Sequence, residues 1–263
     1  MIPLLLFLLV TSCADAKEAR YTGSTPAGTA VRSFLGISLS DSVDFIRWNL
    51  VVSHENYSLQ CNYGIGRPNT NGFIDKKTIY ISGRMGSANN YYFLQNGNKI
   101  LVIAVLNSQL LHLADENKNL LRGTAGWSYT LSMEKGIKVA IAFNARQIPV
   151  KDSATFDGRT PCMPSSFVSE NCYKLKWSIV LFASKDGETG TYRLRGTLFR
   201  SAAKTGDWKK ILVNDHIIYQ LNLGEKDTLY LISPDKNILL FTDPEGKLLV
   251  GNEDFSYTLN RKG

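Results

Sequence analysis

Residues 111–131 and 239–259 carry nearly the same text. Set side by side without a gap, nine of 21 positions are identical: Leu111, Asp115, Leu120, Leu121, Gly123, Ser128, Tyr129, Thr130 and Leu131, each with its partner 128 residues on. Trp127 stands opposite Phe255, aromatic for aromatic. An internal repeat constrains the fold strongly, because both copies must build the same unit from the same pattern of buried positions. The correspondence runs upstream. Arg47-Trp48-Asn49-Leu50 matches Lys176-Trp177-Ser178-Ile179, Tyr57-Ser58-Leu59 matches Tyr192-Arg193-Leu194, and Phe34-Leu35-Gly36 is set against Phe156-Asp157-Gly158. The 263 residues therefore divide into a first unit at 31–135, a connector at 136–151 and a second unit at 152–263.

Each unit reads as all-β. Short runs with alternating apolar residues recur, among them Tyr57 to Tyr63, Thr78 to Ser82, Lys99 to Val105, Tyr192 to Phe199 and Thr228 to Ile232. β-Branched and aromatic residues fill them, and turn pairs such as Asn96-Gly97 and Asp186-Gly187 separate them. No stretch predicts a helix longer than a couple of turns. Six to eight strands in about 100 residues predict two tandem small antiparallel barrels, or sandwiches, from an internal duplication.

The N-terminus points to export. Residues 2–10 are an apolar run too short to span a bilayer, which needs about 20 residues, and it fits the core of a secretory signal. Val10-Thr11-Ser12-Cys13 follows, and small residues before a Cys resemble a bacterial lipobox. This predicts a signal peptide over 1–12, lipidation of Cys13 and a flexible tether over 13–30. No Lys or Arg precedes Cys13, a departure from that signal. The expected place is the bacterial cell envelope, with the chain anchored in the outer membrane. The apolar runs at 100–106 and 238–241 are strand-sized.

The repeated residues have structural roles first. Gly123 and Gly251 ask for a positive φ or a close backbone approach. Trp48, Trp177, Tyr129 and Tyr257 read as core and sheet residues rather than ligand contacts. Asp115 and Asp243, the acids repeated in register, fit turn initiation.

The second unit opens on Phe156-Asp157-Gly158-Arg159-Thr160-Pro161-Cys162 and closes on Tyr257-Thr258-Leu259-Asn260-Arg261, with Asp243-Pro244-Glu245-Gly246 before it. This order resembles the N-terminal domain of the NlpE family, copper-homeostasis and envelope-stress lipoproteins of Gram-negative bacteria. The resemblance implies a small barrel related to lipocalins, opened by Gly-x-x-Pro-Cys and ended by an Asp-x-x-Gly turn and Tyr-x-Leu-x-Arg. It covers the second unit end to end and the first more loosely. The chain departs at the Cys-x-x-Cys of the best-known members: Cys162 is followed by Met163-Pro164-Ser165.

Chemistry-bearing residues are sparse. With Cys13 set aside, Cys61, Cys162 and Cys172 remain. In an oxidising envelope Cys162 and Cys172 can pair, with Cys61 left as a small buried hydrophobe. Alternatively Cys162, Met163 and Cys172 offer soft sulfur to copper, the one cofactor the sequence suggests. His54, His112 and His216 are scattered, and His112 stands opposite Leu240 across the repeat. No hydrolase elbow, zinc-protease helix or phosphate loop is present, so the expectation is a protein that is not an enzyme. The net charge of +7 is spread along the chain, and Lys174, Lys176, Arg193, Arg195 and Arg200 suit an anionic membrane leaflet or lipopolysaccharide better than nucleic acid in an exported protein. The function expected is a non-enzymatic envelope lipoprotein acting in surface-stress sensing or copper homeostasis. Its partners are the membrane, through the anchor, and an envelope protein. The alternatives are a carrier of a small apolar ligand, which needs a hollow barrel, and a structural or interaction protein.

Overall fold

The computed structural model describes residues 18–134, 139–140, 152–163, 172–224 and 227–263. The signal 1–12, Cys13 and most of the 136–151 connector lie outside them.

The first unit comprises β1 (Ala19–Pro26), α1 (Thr29–Leu35), β2 (Phe45–Ser53), β3 (Asn56–Gly64), β4 (Lys77–Ala88), β5 (Tyr91–Asn96), β6 (Lys99–Asn107), β7 (Leu110–Ala114) and β8 (Thr130–Met133). Each strand pairs antiparallel with the next, and β8 returns to β1 to close an eight-stranded barrel. After β9 (Val139–Ala140) the second unit repeats the plan with β10 (Ser153–Thr160), β11 (Leu175–Ala183), β12 (Thr189–Gly196), β13 (Lys204–Val213), β14 (His216–Asn222), β15 (Thr228–Ile232), β16 (Ile238–Thr242), β17 (Lys247–Leu248) and β18 (Thr258–Arg261). The β15–β16 and β18–β10 pairings close its eight main strands, and β17 and β9 add a short extension. The protein is thus two closed antiparallel barrels in tandem, the barrel form of the expected duplication.

Local chemistry accounts for the strands. In β2, Ile46, Trp48, Leu50 and Val52 turn inward and are buried while Arg47, Asn49 and Val51 are half-exposed, the period of two that a sheet with one wet face demands. The β4–β5 and β13–β14 hairpins turn on Asn89-Asn90 and Asn214-Asp215, all four at positive φ, as a two-residue type I′ turn requires.

Both interiors are filled by the chain's own side chains. Trp48, Leu50, Leu59, Leu94 and Leu131 pack the first. Phe156, Trp177, Trp208, Leu221, Phe241 and Leu259 pack the second. A third cluster lies between the barrels, with Val102, Ala104, Leu106 and Leu120 on one side and Ile232, Ile238, Leu240 and Leu248 on the other. This seam explains the unbroken apolar runs at 101–106 and 238–241, while Ile100 stays exposed. Leu101 and Ile103 face the first barrel's interior while Val102 and Ala104 face the seam, so β6 is buried on both sides.

Two expectations are corrected. The tether over 13–30 and the first unit over 31–135 are misplaced at their shared border, since β1 starts at Ala19 and pairs with β2 along its whole length. The match of Phe34-Leu35-Gly36 with Phe156-Asp157-Gly158 also falls. Phe34 and Leu35 sit in α1, and the true counterpart of Phe156 is Tyr21: Tyr21 pairs with Met133, and Phe156 with Arg261, 128 residues on. In both barrels the glycine two residues later faces a tryptophan, Gly23 opposite Trp48 and Gly158 opposite Trp177.

Candidate functional site

Two regions gather the polar and sulfur chemistry of the molecule: the end of the second barrel near Cys162, and the seam between the barrels.

At the first, Cys162 and Cys172 are joined in a disulfide with Cα atoms 5.9 Å apart. Both half-cystines and Met163 pack against the second barrel's core. The Tyr257 hydroxyl donates to the Cys162 carbonyl at 2.9 Å. Trp177 Nε1 donates to Thr160 Oγ1 at 2.8 Å, just before Pro161. The first barrel repeats this with other parts. Trp48 Nε1 donates to Thr25 Oγ1 at 2.8 Å, just before Pro26, and the Tyr129 hydroxyl meets the backbone of Gly28. The disulfide segment and α1 therefore follow equivalent strand ends. In the first barrel, Val31, Phe34 and Leu35 of α1 join the core. The expected copper ligands Cys162, Met163 and Cys172 are together, but both thiols are consumed in the disulfide, which leaves Met163 as the soft donor. Among the described residues no group of three His, Cys, Asp or Glu side chains could hold a metal ion.

Cys61 is fully buried, and burial pushes its thiol well above the usual range. It faces Trp48 as Gly196 faces Trp177, the register the repeat implied.

The seam is a polar ladder set beside apolar side chains. Ser128 and Ser256 meet hydroxyl to hydroxyl at 2.6 Å, and Thr130 and Thr258 at 2.8 Å. Each pair joins a residue to its own repeat partner, the mark of a two-fold-like interface in which one surface meets its own copy. Off-axis contacts come in matching pairs: the Gly123 N–H donates to Asn260 Oδ1 at 2.8 Å, and the Gly251 N–H to Ser132 Oγ at 3.2 Å. A Cβ on Gly123 would stand 2.3 Å from the Trp127 carbonyl oxygen, and one on Gly251 2.3 Å from that of Phe255. Close approach, not a positive φ, is what both glycines serve.

His112 ends the ladder. It is wholly buried, with Nε2 at 2.9 Å from the Leu121 carbonyl and Nδ1 at 2.8 Å from Thr130 Oγ1. A carbonyl only accepts, so Nε2 carries the proton and Nδ1 accepts from Thr130. Thr130, its proton given, then accepts from Thr258. Burial pushes the imidazole down to about 4, so the neutral ring that this chain requires is the stable one. His54 is exposed and His216 half-buried, and neither joins it.

Asp115 and Asp243 initiate turns as expected. Asp115 Oδ1 accepts from the Asn119 N–H at 2.8 Å, and Asp243 Oδ1 from the Lys247 N–H at 2.8 Å. A groove of about 660 Å³ lies on the second barrel over Thr189, Thr191, Asp207, Lys209, Gln220 and Asn222. These six residues alternate outward along β12, β13 and β14, with Gly190 and the core residue Trp208 beneath them. The carrier expected as an alternative needs an unfilled interior, and the side chains named above occupy both.

No family model, no curated protein and no solved structure matches the chain.

Sequence reasoning missed Thr25 and Thr160, His112 with its threonine chain, and the seam itself. A signal for the first was present: Tyr21-Thr22-Gly23-Ser24-Thr25-Pro26 and Phe156-Asp157-Gly158-Arg159-Thr160-Pro161 share aromatic-x-Gly-x-Thr-Pro.

Proposed function

We propose that the chain is a non-enzymatic lipoprotein of the bacterial envelope. It is anchored through Cys13, resembles the NlpE family, and presents a rigid double barrel to an envelope partner in stress sensing or copper homeostasis. The observation that carries this reading is the Cys162–Cys172 disulfide. Such bonds persist in oxidising compartments, where the apolar run at 2–10 and the lipobox-like Val10-Thr11-Ser12-Cys13 would deliver the chain. The filled interiors support a working surface on the outside. Copper contact in this reading belongs to the reduced form, because only reduction returns two thiolates to Met163.

The experiment is the mass of the mature protein from a Gram-negative host, with radiolabelled palmitate as a second readout. The reading expects an acylated Cys13 at the N-terminus and an intact Cys162–Cys172 bond. Recovery of an unlipidated Cys13, or of free thiols at 162 and 172, overturns it.

A further inference from the structure

The outward face of β10, β11 and β12 gathers cations that the reading above leaves unused. Arg159 and Lys176 are direct cross-strand partners. Two residues along β11, Ser178 faces Arg195, and after it Val180 faces Arg193. Opposite residues share a face, as do residues two apart, so these four stand together with Lys174 just before β11. Asp157 is the acid in the same rows. Among the described residues no carboxylate lies within ion-pair distance of the five cations. Asp254, whose field reaches Lys174, is held by Arg47. Burial, then the charges of Arg159 and Lys176, hold the Lys174 ammonium below its usual value. Like charges gathered this way repel one another, and an anion set among them removes that cost.

Aromatic rings border the cations. The Lys174 ammonium lies 5.6 Å from the Tyr173 ring and 5.5 Å from that of Phe255. The Arg159 guanidinium lies 5.8 Å from the Trp127 ring, which stacks on Phe45 at 4.8 Å. Tyr173 is 58% exposed. Trp and Tyr beside Lys and Arg suit the headgroup layer of a membrane.

The start of the first barrel at Ala19 sets how far the anchor can reach. Residues 14 to 18 alone separate Cys13 from Ala19. At about 3.6 Å per residue this reaches roughly 20 Å. A chain acylated at Cys13 is thereby held against the leaflet rather than on a long leash; this step rests on the anchored reading proposed above.

We propose that the face formed by Arg159, Lys174, Lys176, Arg193 and Arg195, with Tyr173 and Trp127 at its border, docks on the anionic phospholipid headgroups of the membrane that holds the anchor. The lipid then tethers the protein, and this face sets its orientation.

The test uses the chain from residue 13 onward with Cys13→Ser, which carries no lipid. It should co-sediment with vesicles containing about one third phosphatidylglycerol and not with pure phosphatidylcholine vesicles. Lys176→Gln, Arg193→Gln and Arg195→Gln together should cut that partition on the order of a hundredfold, since each basic residue near the surface contributes a few-fold or more. Arg84→Gln, Lys118→Gln and Lys236→Gln change net charge equally at exposed sites on other elements, β4 and the β7–β8 and β15–β16 connections, and should leave partition within roughly threefold. Absence of binding to the anionic vesicles overturns the proposal. So does an equal loss in both triple variants, or binding to a sulfated polysaccharide without binding to vesicles. Because the tested chain bears no lipid, failure here is distinct from failure of Cys13 acylation, which the mass of the mature protein reads separately.

Discussion

Thr130 and Thr258 are 128 residues apart in sequence, and their hydroxyl oxygens lie 2.8 Å apart at the centre of the molecule. The contact joins two readings of the chain, the duplicated sequence and the welded pair of barrels. It also continues into His112, so a buried imidazole in one barrel depends on a hydroxyl from the other.

Thr130→Val should destabilise the protein by about 1–3 kcal/mol, because His112 Nδ1 is left buried without a donor. Thr258→Val removes only the donor to Thr130 and should cost less. The two changes should be non-additive in a double-mutant cycle read by urea unfolding; strictly additive losses would mean that the hydroxyls do not act as one chain.

Acid should weaken the fold through His112. Its folded value of about 4 lies below the ordinary 6.5. Between these pH values the unfolded chain binds a proton that the folded chain refuses, so stability is full above pH 6.5 and is lost as pH falls toward 4. The size is on the order of 3 kcal/mol. Asp235, whose carboxyl burial pushes up, works in the opposite sense, so the comparison must be with His112→Leu. That variant places the residue of the equivalent position, Leu240, in the first barrel, and its stability should lack the His112 slope across this window. An unchanged slope would remove His112 from the account.

Reduction should loosen the end of the second barrel. A disulfide between residues ten apart contributes about 2–3 kcal/mol by loop entropy. Cys162→Ser should show a loss of that order in guanidinium unfolding. Cys61 should resist alkylation until the chain unfolds, since its thiol is buried and held well above its ordinary pKa. Rapid labelling of Cys61 in native buffer would contradict the packing of the first barrel.

Gly123→Ala and Gly251→Ala should each cost about 1–3 kcal/mol, because the added methyl meets backbone oxygen rather than a side chain that can swing away. Gly97→Ala, at positive φ with open space around its Cβ position, separates the two causes. Its loss is one of backbone conformation alone, of about 1 kcal/mol, and should leave the exchange of amides in the seam unaltered.

The duplication and the barrel class were readable because the later strands keep their side chains in register: Tyr57 and Tyr192, Trp48 and Trp177, and the terminal Ser-Tyr-Thr-Leu. β1 was not. Ala19–Pro26 mixes Ala, Arg, Gly, Ser and Pro with its β-formers Tyr21, Thr22 and Thr25, and it is a strand because closing the barrel requires one between β2 and β8. Tertiary demand there overrides local preference. Its alignment was hidden because the first copy carries α1 after the shared Thr-Pro, which shifts the offset from 135 residues at Gly23 and Gly158 to 129 at Trp48 and Trp177. The seam was hidden for another reason. Ser128, Thr130 and His112 look like surface polar residues until a second copy of the same strand covers them, and no periodicity within one unit carries that information. The Cys162–Cys172 pairing was one of two open readings, because spacing alone does not say whether two thiols hold a metal or each other.

The most direct test of the double barrel as one body is hydrogen exchange in rising urea, resolved on peptides from β2–β3 and from β11–β12. Both sets should open together, with one midpoint and one free energy, and Thr130→Val should lower both alike. Two separate midpoints, with the variant moving only the first barrel, would contradict it.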